Sequence, residues 1–323
     1  MTMKAKSRLL AVLLVAAVAS VFVVPARSYL YNYTIPSGGG TPVPNRWATA
    51  PITWRLNSSQ GPNITGTRLV DQVITDSFAS WTAAPNTSLQ VVRGANSSAT
   101  SQTNPTVDPP MNLICFVCPD TANFADSKTL AVTTTWMQNN GQLIQASILF
   151  NPNSQFNTDA GSGNAQDLQT VATHEIGHFF GLGHSAVVRA IMYPYASDLR
   201  TLGYDDVAAI STLYPNFSQV GSTGTIAGTV RLNGTAVFGA HVFAESVTTL
   251  QSYPASIRKT PIGMLTRPDG SYSISGLPPD SYIVLAEPLD GPIQDSDFGI
   301  PPSGYAATFG QPAVQTNFNT RWH

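Results

Sequence analysis

Charge is scarce in this chain of 323 residues, in which Lys, Arg, Asp and Glu together make up only 11 % and the net charge is −2. That is roughly half the share usual in globular proteins. With no basic excess to grip a phosphate backbone or an anionic lipid surface, nucleic acid is excluded as an expected partner. Cysteine is scarcer still, since only Cys115 and Cys118 occur. Two residues cannot staple a small scaffold or complete a four-cysteine structural zinc site. In a cytosolic chain their spacing would suit a redox pair or half of a metal site. Outside the cell a local disulfide is expected, with two free thiols as the alternative.

Long apolar runs are missing too, with one exception at the start. Leu9–Val24 is apolar except for Ser20, follows Lys4, Lys6 and Arg8, and precedes Pro25-Ala26-Arg27-Ser28. This pattern reads as a secretory signal over residues 1–28, cleaved after about Ser28. The alternative, an uncleaved anchor, would need a slightly longer run. No second such run follows, so no stable membrane span is expected after cleavage. The mature chain is expected to be secreted and monomeric, extracellular or, in a Gram-negative host, in the periplasm or cell envelope.

Residues 29–45 contain Ser37-Gly38-Gly39-Gly40 and Pro36, Pro42 and Pro44, the composition of a flexible spacer too short for a folded pro-domain. Beyond it, Ile52–Leu56, Leu89–Val92, Leu130–Trp136 and Leu143–Phe150 read as strands, with Asn139-Asn140-Gly141 as a turn. Apolar residues at helical spacing mark helices over Thr67–Trp81, from about Ala165 to Phe180, and over Tyr204–Leu213. The last has Asp205 and Asp206 in its first turn, where the helix dipole favours them. Polar residues dominate 94–127, which is expected to be a long surface excursion. The order of elements predicts an α+β domain over 46–217, with a mixed twisted sheet and three helices. A linker at 218–223 leads to short β-rich segments over 224–287, the pattern of a small all-β sandwich. Residues 288–323 have no clear period.

Chemistry concentrates in His174-Glu175-Ile176-Gly177-His178-Phe179-Phe180-Gly181-Leu182-Gly183-His184, which holds three of the five histidines. His174 and His178 lie four apart on a predicted helix, so both imidazoles project from one face and can share a metal. Gly181 tolerates the positive φ needed to break the helix and bring His184 in from another side. Three neutral imidazoles leave a fourth position open, the arrangement of a catalytic Zn2+. Glu175 sits beside the metal without binding it, where a carboxylate can act as general base.

This segment resembles the metzincins, and among them the matrixins, the matrix metalloproteinases and their bacterial relatives. Ser185 after the third histidine and Ala190-Ile191-Met192-Tyr193-Pro194, at the spacing of the Met-turn, carry the closer likeness. The resemblance implies a zinc-dependent endopeptidase acting on protein or peptide substrates. It implies Met192 as an apolar floor beneath the zinc, and Tyr193 and Pro194 as one wall of a substrate pocket. Leu130–Thr135 would be the edge strand that pairs with extended substrate. The likeness extends over about 46–217 through Arg46-Trp47, Phe78-Ala79-Ser80-Trp81 and Leu213-Tyr214-Pro215. The family's pro-domain cysteine latch is absent from the spacer; Cys118-Pro119-Asp120 resembles part of it but lies inside the catalytic domain. Ca2+ would have to use Asp and Asn residues of the 94–127 and 151–167 loops, whose spacing matches no calcium loop. Residues 224–287 resemble a carboxypeptidase regulatory-like, or transthyretin-like, β-sandwich through Asp269-Gly270-Ser271-Tyr272 and Leu277-Pro278-Pro279. A different class stands as the alternative: a non-catalytic secreted adhesion or binding protein on a metzincin scaffold.

Overall fold

The computed structural model describes residues 31–119, 124, 128–161, 163–195, 197–219, 223–248, 254–289, 292–298 and 304–322. The signal segment expected at 1–28 lies outside them. The fold is α+β. Its main sheet is built on the long strand Gln142–Phe150, whose residues are buried almost throughout. Arg46–Trp47 pairs parallel to the start of this strand, and Leu113–Cys115 pairs parallel to its later part. Ile52–Leu56 and then Val91–Arg93 extend the sheet, again in parallel. Ile52, Trp54 and Leu56 point into the core while Thr53 faces out, as the period of two requires. On the other side of Gln142–Phe150, Ala131–Met137 runs antiparallel. Among the described residues nothing pairs with its far edge.

Leu113–Cys115 corrects the expectation that 94–127 is all surface. Leu113, Ile114, Cys115 and Phe116 are fully buried. A three-residue strand inside a parallel sheet is covered on both faces, so it shows neither alternation nor length against its polar flanks. Cys115 and Cys118 form a disulfide immediately after it.

Helices α1 (Val70–Thr82) and α2 (Leu168–Phe179) pack on the sheet. The Trp81 indole of α1 donates to Thr173 O of α2 at 2.8 Å. Asp167 caps α2 by accepting from Thr170 N at 2.9 Å, and Arg200 holds the Asp167 carboxylate at 2.7 Å. The far end of α2 is fixed by Trp47 Nε1 donating to Phe179 O and by Tyr214 OH donating to Phe180 O. Helix α3 (Tyr204–Leu213) closes the domain.

At the end of α2, Gly181 N donates to His178 O and Leu182 N donates to Gly177 O, the paired bonds of a Schellman stop. Gly181 has φ +96°, and a Cβ on it would lie 2.1 Å from Asn45 O. Both strain and backbone collision oppose any side chain there. Gly181→Ala is expected to lower stability by about 2–3 kcal/mol in urea unfolding; an unchanged midpoint would contradict this reading of the turn.

Asn45 belongs to the segment expected as a flexible spacer, and its placement corrects that expectation for residues 31–45. Tyr33–Thr34 and Val43–Pro44 pair as a small antiparallel ribbon. Tyr31 is 1 % exposed, and Asn32 N donates to Gly181 O at 2.9 Å. One buried tyrosine and these main-chain bonds outweigh the local glycine and proline content.

The C-terminal part contains one sheet ordered Ile262–Leu265, His241–Ser246, Tyr282–Glu287 and Arg321–Trp322, and a pair formed by Gly224–Thr229 and Ser271–Leu277. It does not hang from the α+β part as a separate bead. Val242, Ala244, Ile262, Met264, Ile274 and Leu277 belong to the same continuous apolar core as α1, α2 and α3. The tail is also structured, with a 3-10 turn at Asp295–Asp297 and a short helix, α4 (Gly304–Thr308).

Candidate active site

His174 and His178 project from the same side of α2, with ring centroids 4.8 Å apart. The turn at Gly181 brings the His184 ring to 5.3 Å from His174 and 4.9 Å from His178. One ring nitrogen from each lies within 4.8 Å of the others. Each Nδ1 faces a main-chain carbonyl: Ile191 O at 2.8 Å for His174, Leu182 O at 2.8 Å for His178 and Asp297 O at 2.6 Å for His184. A carbonyl can only accept, so each Nδ1 carries the hydrogen and each Nε2 is left with a free lone pair. Burial, with a neighbouring imidazole adding to it, lowers all three pKa values to about 3. Neutral, pre-oriented imidazoles sharing one small space are a donor set that fits Zn2+. No other group of three His, Cys, Asp or Glu side chains converges in this way among the described residues.

Glu175 follows the first histidine and is 6 % exposed. Burial raises its carboxyl to about 7, and the Thr133 hydroxyl, donating to Oε2 at 2.6 Å, opposes that rise. Thr133 comes from the edge strand Ala131–Met137. Nothing in the sequence pairs it with Glu175, because only the sheet register decides which face of that strand meets α2.

Met192 is 2 % exposed, and its sulfur lies where a side chain on Gly177 would otherwise sit. Its loop is held from below by α3. Asp206 accepts from Ile191 N at 2.8 Å, Met192 N at 3.1 Å and Gly203 N at 2.7 Å. Asp205 accepts from the Ser185 hydroxyl at 2.6 Å and from Gly263 N at 2.9 Å. The two aspartates do more than meet a helix dipole. They tie the loop carrying His184 and Met192 to α3 and, through Gly263, to the C-terminal sheet.

Burial, followed by the charge of Asp206, raises Asp205 from 3.8 to about 7. A carboxyl whose folded value lies above its unfolded one favours folding most when protonated. Its contribution is therefore lost as pH rises from about 4 through 7. Asp205→Asn keeps one oxygen to accept from Gly263 N and reverses the Ser185 contact, its amide donating to the hydroxyl oxygen, and is expected to remove this decline, gaining on the order of 1–2 kcal/mol at pH 8. Parallel stability–pH curves for the two proteins would contradict it.

The histidines and Glu175 open onto a cleft of about 510 Å³ between the edge strand and the loop Tyr193-Pro194-Tyr195. The arrangement of His174, Glu175, His178 and His184 beside such a cleft is that of a metal-dependent hydrolase. A Matrixin family model matches residues 46–215, more than half of the chain, and the chain belongs to that family. A match of 49 % identity over 63 residues links it to Metalloendoproteinase 4-MMP of Arabidopsis thaliana, covering 18 % of each chain. Karilysin of Tannerella forsythia is 50 % identical over 54 residues, covering 16 % of this chain and 11 % of karilysin. Matrilysin of Rattus norvegicus is 45 % identical over 58 residues, covering 17 % and 22 %. The chain thus spans less than a quarter of the length of each of these relatives. Membership of the family implies zinc and a peptidase at family level. No helix among the described residues is long and apolar enough to cross a membrane.

Proposed function

We propose that this protein is an exported zinc-dependent endopeptidase that hydrolyses internal peptide bonds of protein substrates. The convergence of three neutral imidazoles on one space, beside a buried carboxylate at the floor of a cleft, carries this reading. His174, His178 and His184 would hold the zinc through Nε2. When bound there, zinc supplies a Lewis acid and lowers the pKa of water in its coordination sphere. Glu175 takes the proton of the attacking water at its carboxylate and returns it to the leaving amine. Its raised pKa suits a group that must both accept and donate near neutral pH.

Thr133 keeps the Glu175 carboxylate facing the cleft, and Met192 forms the apolar floor under the histidines. Tyr193 and Pro194 form one wall of the substrate pocket. An extended peptide would pair along the free edge of Ala131–Met137, the mode by which a strand is added to a sheet. Residues 1–28 would direct export, and the C-terminal β-rich part, read as a carboxypeptidase regulatory-like sandwich, would act as a scaffold.

Purified mature chain incubated with an unfolded protein such as casein tests this reading. Internal cuts, abolished by a zinc chelator and restored by zinc, are the expected result. Bound zinc without cleavage would instead favour a binding protein on a peptidase scaffold.

A further inference from the structure

Two of the three histidines take their Nδ1 partner from the catalytic segment itself, Ile191 and Leu182. The third does not. His184 Nδ1 donates to Asp297 O at 2.6 Å, 113 residues downstream and well beyond the matrixin match at 46–215. We infer that the C-terminal tail is a built-in part of the metal centre: the Asp297 carbonyl is a positioning group that fixes the tautomer and ring orientation of His184. This rests on the histidines being the zinc ligands. It places in the tail a determinant of zinc affinity that no residue of the matched family segment supplies.

The tail is built to hold that carbonyl still. In the 3-10 turn Asp295–Asp297, Asp297 N donates to Gln294 O at 2.9 Å and the Asp297 carboxylate accepts from Gln294 N at 2.7 Å. Asp295 Oδ1 accepts from Ala306 N of α4 at 2.8 Å, so the turn leans on the helix behind it. Tyr195, from the cleft wall, donates its hydroxyl to Pro292 O at 2.6 Å. Ile293 and Phe298, 8 % and 2 % exposed, flank the turn and sink into a separate apolar cluster. That cluster joins Ala186 of the catalytic loop, Phe238 and Leu265 of the β-rich part, and Tyr305 of α4, with Tyr193 packed against it. Catalytic loop, β-rich part and tail thus meet at one point, two residues from His184. A metal-ligating imidazole whose second nitrogen loses its partner is free to rotate and to shift its proton. Such a loss typically costs about 10–100-fold in metal affinity.

Replacing the peptide bond between Asp297 and Phe298 with an ester weakens the Asp297 carbonyl as an acceptor while keeping every side chain. It also removes the Phe298 N–H that donates to Asp295 O at 3.2 Å, so the ester is compared with Phe298→Leu and the double variant described below, which keep the Asp297 carbonyl an amide. Zinc affinity is measured on the full chain by chelator competition, and the visible spectrum is recorded with Co2+ in place of zinc. The ester is expected to weaken zinc binding about 10-fold and to alter the Co2+ spectrum. A double Ile293→Ala, Phe298→Ala variant, which loosens the whole turn, should weaken binding further, and Phe298→Leu should restore it to within about 3-fold. Zinc affinity and Co2+ spectrum unchanged in the ester overturn the inference. Weakening in the double variant alone would also overturn it, because the tail would then be packing only. A wild-type chain that binds no zinc would sink the histidine assignment itself, a failure distinct from these.

Discussion

Glu175→Ala is expected to cut turnover of an unfolded protein substrate by about 10³-fold or more while leaving one zinc bound per chain. General acid–base catalysis supplies about 10²–10⁴-fold, and here the same carboxylate serves both the attack and the departure of the amine. Removing it should lower kcat, with KM little changed, because Glu175 holds a proton in the transition state and not the peptide in the ground state. The side chain is buried and opposed by a single hydroxyl, that of Thr133. Its loss therefore creates a small cavity and leaves no charge unpaired. The folded protein should persist, which makes the assay readable: loss of zinc together with activity would contradict the role given to Glu175.

His178→Ala is expected to do the opposite on the metal side. The first coordination shell falls from three nitrogens to two, so zinc affinity should drop by more than the roughly 100-fold that ends the range for outer-shell changes. Activity should fall below detection. Stability provides an independent check, since a ligand present at about 100 times its Kd stabilises the folded state by about 2.7 kcal/mol. Added zinc should raise the melting temperature of the wild type and leave that of His178→Ala where it was. An equal rise in both would place the metal elsewhere.

Much of the centre is legible in the chain itself because its geometry is local. His174 and His178 meet because a helix repeats every 3.6 residues, and His184 joins them because Gly181 adopts a φ of +96°. The helices and longer strands around them follow from periodicity, with ends that coincide or shift by at most three residues. What the sequence hides is long-range. Leu113–Cys115 is too short and too fully buried to show a period. Thr133 meets Glu175 only through sheet register. Asp205 and Asp206 look like ordinary first-turn acids until the loop at Ile191 and Met192 is seen to hang from them. The segment 31–45 has the composition of a spacer, yet Tyr31 and Asn45 lock it to the end of α2. The tail offers no pattern at all, since a main-chain carbonyl at Asp297 carries no side-chain signature.

Zinc K-edge X-ray absorption on the purified full chain addresses the central claim most directly. Three imidazole nitrogens and one further light ligand in the first shell, with no sulfur, is the expected result, and the imidazole signal should fall by a third in His184→Ala. A shell containing sulfur, a shell of oxygens alone, or an unchanged imidazole count in His184→Ala would contradict a three-histidine catalytic centre.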